Sequence, residues 1–291
     1  MKYLVLIPDG MADRKVRELG GRTPMEAADK PMMDELCRKA ECGTVLNVPI
    51  GMVPESDTAN LAIMSYDPKV YSKGRSPLEA MSMGIDLGEG DVAIRCNLVT
   101  LSEEEERYED RRILDHSADE ISTEEADELV KALNEALPME GRHLYTGVSY
   151  RHCLVWNGAP AVYDFTRPHD ILGQVIGDKL PRTDDGGAQF LEFMKKSPGT
   201  KPALPSFTEK WGIKASVISA VDLIKGIGLC AGMDVISVEG ATGNYKTNYA
   251  GKAEAAKKAF GDGSDFVYVH VEAPDECGHR AEIENKVLSI E

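Results

Sequence analysis

The sequence predicts an α/β protein: a doubly wound, mostly parallel sheet with a second α/β domain inserted into it. Three observations point there. The chain opens on an unbroken apolar run, Tyr3-Leu4-Val5-Leu6-Ile7, of the kind found inside a parallel sheet covered on both faces. The C-terminal third alternates strand and helix patterns, as βαβ units do. Between them lies a stretch of different texture, acidic and then amphipathic, flanked by two β-rich segments.

The first strand, residues 3–7, stops at Pro8-Asp9-Gly10. Thr23-Pro24-Met25-Glu26 combines a capping box with proline at the first helical position, so a helix starts there. Pro31 restarts it, and Met32, Met33, Leu36 and Cys37 supply an apolar face. A short strand is predicted at 44–48, then a loop at 49–54 and a helix from about Ser56. Further on, 215–219, 234–238 and 266–272 read as strands, 240–243 as a glycine loop and 250–260 as a helix.

In the middle, Glu103-Glu104-Glu105-Glu106 precedes a helix announced by the capping pair Ser122 and Glu125. Its apolar stripe is Ala126, Leu129, Val130, Leu133 and Leu137, and the flanking β-rich stretches are 92–101 and 148–155. The segment 197–205, rich in proline, glycine and lysine, reads as a linker. The domains are therefore residues 1–71 plus 204–291, and an inserted domain of residues 72–203.

Composition narrows the function. The 291 residues are 42% apolar and 28% charged, with a net charge of −16. Such an acidic chain offers no broad basic field to nucleic acid or an anionic membrane, but a few local arginines and metal ions can still hold a phosphorylated metabolite. The opening apolar run is too short for a signal peptide or membrane span. The six cysteines, Cys37, Cys42, Cys96, Cys153, Cys230 and Cys277, form no C-x-x-C pair and read as reduced thiols of a cytoplasmic protein.

Three loop motifs stand at predicted strand ends: Asp9 after the first strand, Ser56 in Glu55-Ser56-Asp57-Thr58-Ala59-Asn60, and Asp275 with His279 in Ala273-Pro274-Asp275-Glu276-Cys277-Gly278-His279. Singly, each has a plain structural reading. Asp9 before Gly10 can be a turn former, and Ser56 a helix cap. The spacing Asp-x-x-x-His puts two side chains on one side of a helical turn, with or without a metal. Together they would meet at one edge of a parallel sheet, and their oxygens and nitrogens suit manganese, zinc or magnesium. A metal-bound serine becomes a competent nucleophile at neutral pH. Cys277 reads as a non-ligand.

Many segments resemble one family. Pro8-Asp9-Gly10-Met11, Gly21-Arg22-Thr23-Pro24-Met25-Glu26-Ala27-Ala28, Ser56-Asp57-Thr58-Ala59-Asn60, Tyr66-Asp67-Pro68, Asp91-Val92-Ala93-Ile94-Arg95-Cys96-Asn97, Tyr150-Arg151-His152, Pro168-His169-Asp170 and Gly240-Ala241-Thr242-Gly243 are similar, in order and spacing, to the archaeal-type cofactor-independent phosphoglycerate mutases. The resemblance implies an alkaline-phosphatase-like fold and an isomerase that interconverts 3-phosphoglycerate and 2-phosphoglycerate through a phosphoserine. It implies two divalent metal ions, most commonly Mn2+, with Zn2+, Mg2+ or Co2+ as alternatives. By the same resemblance Ser56 is the nucleophile and a metal ligand, Asp9 joins it on one metal, and Asp275 and His279 hold the other. Arg151 and His169, with Arg95 as a lesser candidate, would hold the substrate. Plain readings stand beside the last two: a histidine at a proline turn, and an arginine in an ion pair.

The resemblance stops at one point. The family carries a further Asp-His pair after another strand, then a later histidine, and no such pair follows Asp275 here. The ending Leu288-Ser289-Ile290-Glu291 falls inside a helical pattern begun near Ala281, so a C-terminally truncated chain with under-coordinated metals is expected. Two other readings stay open. One is a related phosphotransferase or phosphatase acting on another small phosphorylated metabolite, homoserine kinase-like or phosphonate enzyme-like. The other is an inactive fragment that only binds.

Overall fold

The apolar run after Lys2 becomes strand β1 (Tyr3–Pro8). The capping box at Thr23 and Glu26 forms as read and starts α1 (Pro24–Ala27). Then come α2 (Pro31–Lys39), α3 (Ser56–Ile63) and α4 (Pro68–Tyr71). The next unit holds α5 (Ser76–Ser82), β2 (Asp91–Asn97), β3 (Thr100–Leu101), β4 (Ile113–Asp115), α6 (Thr123–Ala136), β5 (Arg142–Val148) and β6 (Arg151–Asn157). The chain then returns through α7 (Phe207–Trp211), β7 (Ala215–Ile218), α8 (Asp222–Cys230), β8 (Asp234–Val235), α9 (Tyr249–Gly261), β9 (Phe266–Val271), α10 (Ala273–His279) and α11 (Ile283–Ile290). This is a computed structural model, describing residues 1–72, 74–136, 140–158, 168–180 and 202–291. Contacts divide the chain into Met1–Tyr71 with Ala203–Glu291, and Ser72–Pro202.

The first unit is built on a parallel four-stranded sheet in the order β1-β9-β7-β8. Strand β9 alternates its faces. Val267 and Val269 pack with Ala256 and Ala259 of α9, while Tyr268 and His270 point the other way and are buried. Polar groups buried in a strand must find partners, and these two find them on α3 and at the end of β1. Helix α8 lies close on the sheet: a Cβ at Gly228 would fall 2.4 Å from Val217 Cγ1, so only glycine fits.

Three sequence expectations fail here. The apolar run of β1 predicts a strand inside the sheet, but among the described residues it pairs with β9 alone, leaving Tyr3, Leu4 and Leu6 about half exposed. Residues 44–48 form no strand: no described strand lies beside them to complete a ladder, and Val45 is 85% exposed. Helix α2 forms, but its apolar face buries nothing among the described residues, with Met32 75% exposed. Strand β8 is also shorter than the predicted 234–238, because β7 beside it ends at Ile218.

The second unit carries an antiparallel sheet in the order β2-β6-β5. One of its faces buries Ala93, Cys153 and Val155 with Ala80 of α5. The capping box at Ser122 and Glu125 forms, and α6 buries Ala126 and Val130 from its predicted stripe, while Leu129 and Leu133 stay partly exposed. Leu137 and most of the 197–205 linker lie outside the described residues.

Candidate active site

Strands β1 and β9 run parallel in register, Pro8 opposite Val271, so both end at the same sheet edge. The Asp9 N–H continues the ladder by donating to the Val271 carbonyl at 2.9 Å. The segments that leave the two strands are therefore brought side by side, although they are some 260 residues apart in sequence. His270 Nε2 lies 3.1 Å from Asp9 Oδ2 and 3.5 Å from Glu272 Oε2. His270 is 1% exposed, and its Nδ1 is 3.5 Å from the Ser219 hydroxyl at the end of β7. Behind it, the buried Lys252 of α9 donates to the His270 carbonyl at 3.0 Å.

These contacts set the electrostatics. The hydrogen bond from His270 holds the Asp9 carboxyl below its usual range, against the opposing effect of burial. Glu272 moves the other way: burial raises its pKa to about 7, with His270 opposing and Asp9, Asp275 and Glu276 adding repulsion. Burial also lowers the Lys252 pKa, and the Glu272 charge offsets part of that. Carboxylates thus crowd one sheet edge. Ligand atoms of Asp9, His270 and Glu272 all lie within 4.8 Å of one another, all are oxygen or nitrogen, and they fit a divalent cation.

The Asp-x-x-x-His motif occupies α10, which begins directly after β9. Its spacing does what the sequence implied: Asp275 Oδ2 and His279 Nε2 are 3.2 Å apart on one side of the helix, and His279 is exposed. Gly10, in the left-handed region at φ +65°, lets the loop after β1 lie against Asp275. Cys277, on the same helix, is buried, with Sγ 4.0 Å from a Glu282 oxygen.

Ser56 stands exposed at the first position of α3, and the cap position is taken by Glu55 without a side-chain cap bond. The helix is tied to the site through Asn60. Its Nδ2 donates to the Ser56 carbonyl at 2.9 Å, and its Oδ1 accepts from the Tyr268 hydroxyl at 2.5 Å. Burial, with the nearby Asp9 charge, raises the Tyr268 pKa and keeps this hydroxyl a donor.

In the second unit, Arg151 opens β6, opposite Asn97 of β2, with its guanidinium 5.4 Å from the Tyr150 ring centre. Arg95 is buried instead. Its Nη1 is 3.0 Å from Glu79 Oε1, the same oxygen that Arg75 Nε reaches at 2.5 Å, and its N–H donates to Ser76 Oγ. Arg95 thus sits in a buried ion pair with Glu79. Arg75 and Arg151 are both close enough to repel it, so three guanidiniums lie in this part of the unit. His169 falls in a 3-10 turn, Pro168–Ile171, and its side chain lies outside the described residues.

Sequence reasoning singles out Asp9, Ser56, Asp275 and His279 but misses His270 and Glu272. A histidine within an otherwise apolar strand, with glutamate two residues later at the strand end, is the available signal.

Comparison with known proteins places the chain in a family. Residues 37–200 match the family model described as 2,3-bisphosphoglycerate-independent phosphoglycerate mutase. A protein of that name from Methanothrix thermoacetophila is 45% identical, across all of this chain and 78% of its own length. A probable one from Geobacter sulfurreducens is 43% identical, across all of this chain and 79% of its own. The solved structure of the PH0037 protein from Pyrococcus horikoshii superposes with a TM-score of 0.72 at 32% identity, covering 99% of this chain and 71% of that one. The cofactor-independent phosphoglycerate mutase from Thermoplasma acidophilum gives 0.59 at 27% identity, covering 100% and 83%. The chain belongs to the family of 2,3-bisphosphoglycerate-independent phosphoglycerate mutases.

Proposed function

We propose that this chain interconverts 3-phosphoglycerate and 2-phosphoglycerate through a phosphoserine at Ser56. The observation that carries the reading is the shared end of β1 and β9, which gathers Asp9, His270 and Glu272 at one sheet edge and starts the helix bearing Asp275 and His279. The family is generally metal-dependent. In this reading Asp9 and Ser56 hold one divalent cation and Asp275 and His279 another, with Mn2+ favoured over Zn2+, Mg2+ or Co2+. Bound there, the cations lower the pKa of the serine hydroxyl and neutralise phosphoryl oxygens.

The chain's own residues do the rest. Ser56 Oγ gives up its proton and attacks the phosphorus of 3-phosphoglycerate; the bond from phosphorus to the substrate's C3 oxygen breaks and that oxygen takes up a proton, leaving phosphoserine and glycerate. The C2 hydroxyl of glycerate then attacks the phosphoserine and gives up its proton. Ser56 recovers a proton, and 2-phosphoglycerate leaves. Asn60, bonded to Tyr268 and the Ser56 carbonyl, holds the nucleophile's helix in place. Arg151, with Arg95 beside it and His169 on the later 3-10 turn, binds the phosphorylated substrate. A cytoplasmic location belongs to the same reading, in keeping with six free cysteines. Among the described residues no helix is long and apolar enough to cross a membrane.

The test is mass spectrometry of the protein incubated with 3-phosphoglycerate and Mn2+, together with the Ser56→Ala rate. Phosphate on Ser56, and a loss of several orders of magnitude in Ser56→Ala, are expected. A near-normal rate in Ser56→Ala would remove the mechanism.

A further inference from the structure

His270 and Glu272 lie outside the ligand set that the sequence motifs suggest, yet their placement is that of a built site. The His270 imidazole is 1% exposed, and its Nε2 lies 3.1 Å from Asp9 Oδ2 and 3.5 Å from Glu272 Oε2. Ligand atoms around a cation with bonds of ~2.1 Å lie ~3.0 Å apart in an octahedron and ~3.4 Å apart in a tetrahedron. The separations from His270, 3.1 Å to Asp9 and 3.5 Å to Glu272, fall in that range, and all three ligand atoms lie within 4.8 Å of one another.

The surroundings complete it. A ligating histidine orients its ring by a hydrogen bond from the other nitrogen, and His270 Nδ1 has the Ser219 hydroxyl at 3.5 Å. Ser219 is itself held, its Oγ accepting from the Val221 N–H at 3.0 Å. The His270 backbone is pinned by Lys252, so ring and strand are both fixed. Glu272 stands half-buried immediately before α10.

We infer that Asp9, His270 and Glu272 together coordinate a divalent cation, His270 through Nε2, so that the metal assigned to Asp9 draws two further ligands from β9 and its end. The inference rests on the metal-dependent reading above but not on the phosphoryl transfer. The competing arrangement is an imidazolium lying between the two carboxylates, with no metal bond to nitrogen.

Electron spin echo spectroscopy of the protein with Mn2+ alone separates these. In His279→Gln, whose other candidate nitrogen ligand is gone, 14N coupling from His270 should persist, and adding His270→Gln should abolish it. Glu272→Gln, a near-isosteric change at a strand end, guards against misfolding of the His270 variant. It should weaken Mn2+ binding by more than the ~10–100-fold typical of an outer-shell partner. Absence of nitrogen coupling in His279→Gln, or unchanged Mn2+ affinity in Glu272→Gln, would overturn the site. Turnover of 3-phosphoglycerate is measured on the protein with His279 and His270 both intact. Nitrogen coupling without turnover keeps this site and removes the mutase reading, whereas turnover without nitrogen coupling does the reverse.

Discussion

Gly10 and Asp275 meet backbone to backbone: a Cβ on Gly10 would fall 2.5 Å from the Asp275 Cα. This contact fits the loop after β1 against the first turn of α10, and so sets the distance between the two candidate metal-binding segments. Gly10→Ala must both strain a left-handed residue and push the loop away. We expect a loss of more than ~2 kcal/mol in urea denaturation and weaker Mn2+ binding in titration calorimetry. Wild-type stability and Mn2+ affinity in Gly10→Ala would show that the contact does not set the site.

Arg151→Lys keeps the charge but loses the planar fork that grips a phosphate or carboxylate through two hydrogen bonds. Its side chain is exposed beside Tyr150, so stability should hold. Steady-state kinetics should give a higher KM and a lower kcat together, with Mn2+ affinity unchanged. A change in metal affinity instead would place Arg151 wrongly.

Glu79 accepts from both Arg75 and Arg95, and Arg95 is buried. Glu79→Gln leaves a buried guanidinium without its counter-charge, which should cost about 3 kcal/mol. Chemical denaturation would measure it. A loss below ~1 kcal/mol would mean that Arg95 finds its compensation elsewhere.

His152 is buried on β6, its Nδ1 accepting from the Gly147 N–H at 3.2 Å, and burial lowers its pKa from 6.5 to about 4. Between those values the unfolded chain binds the proton and the folded chain does not. Stability is therefore full above about pH 6.5, falls as pH drops toward 4, and is flat for this group below that. The loss should be ~1–3 kcal/mol. His152→Gln should flatten that part of the profile of urea midpoint against pH. An unchanged slope would assign the acid sensitivity to other groups.

The features that sequence alone determined in this protein are local. Capping boxes at Thr23 and Ser122 named their own helix starts, because a cap is made within four residues. The spacing of Asp275 and His279 likewise named one side of a helix, because helical geometry repeats every ~3.6 residues. Order within the sheet was beyond such patterns. An apolar run reads the same at the centre of a sheet as at its edge, so β1 reads as an inner strand, and 44–48 as a strand although it has no partner among the described residues. The tertiary structure alone decided that His270 faces Asp9. Parallel pairing of β1 with β9 joins residues about 260 apart, and no local periodicity records which strand becomes the neighbour of which. The site is legible in sequence where its members share a turn of helix, and only in the fold where they share an edge.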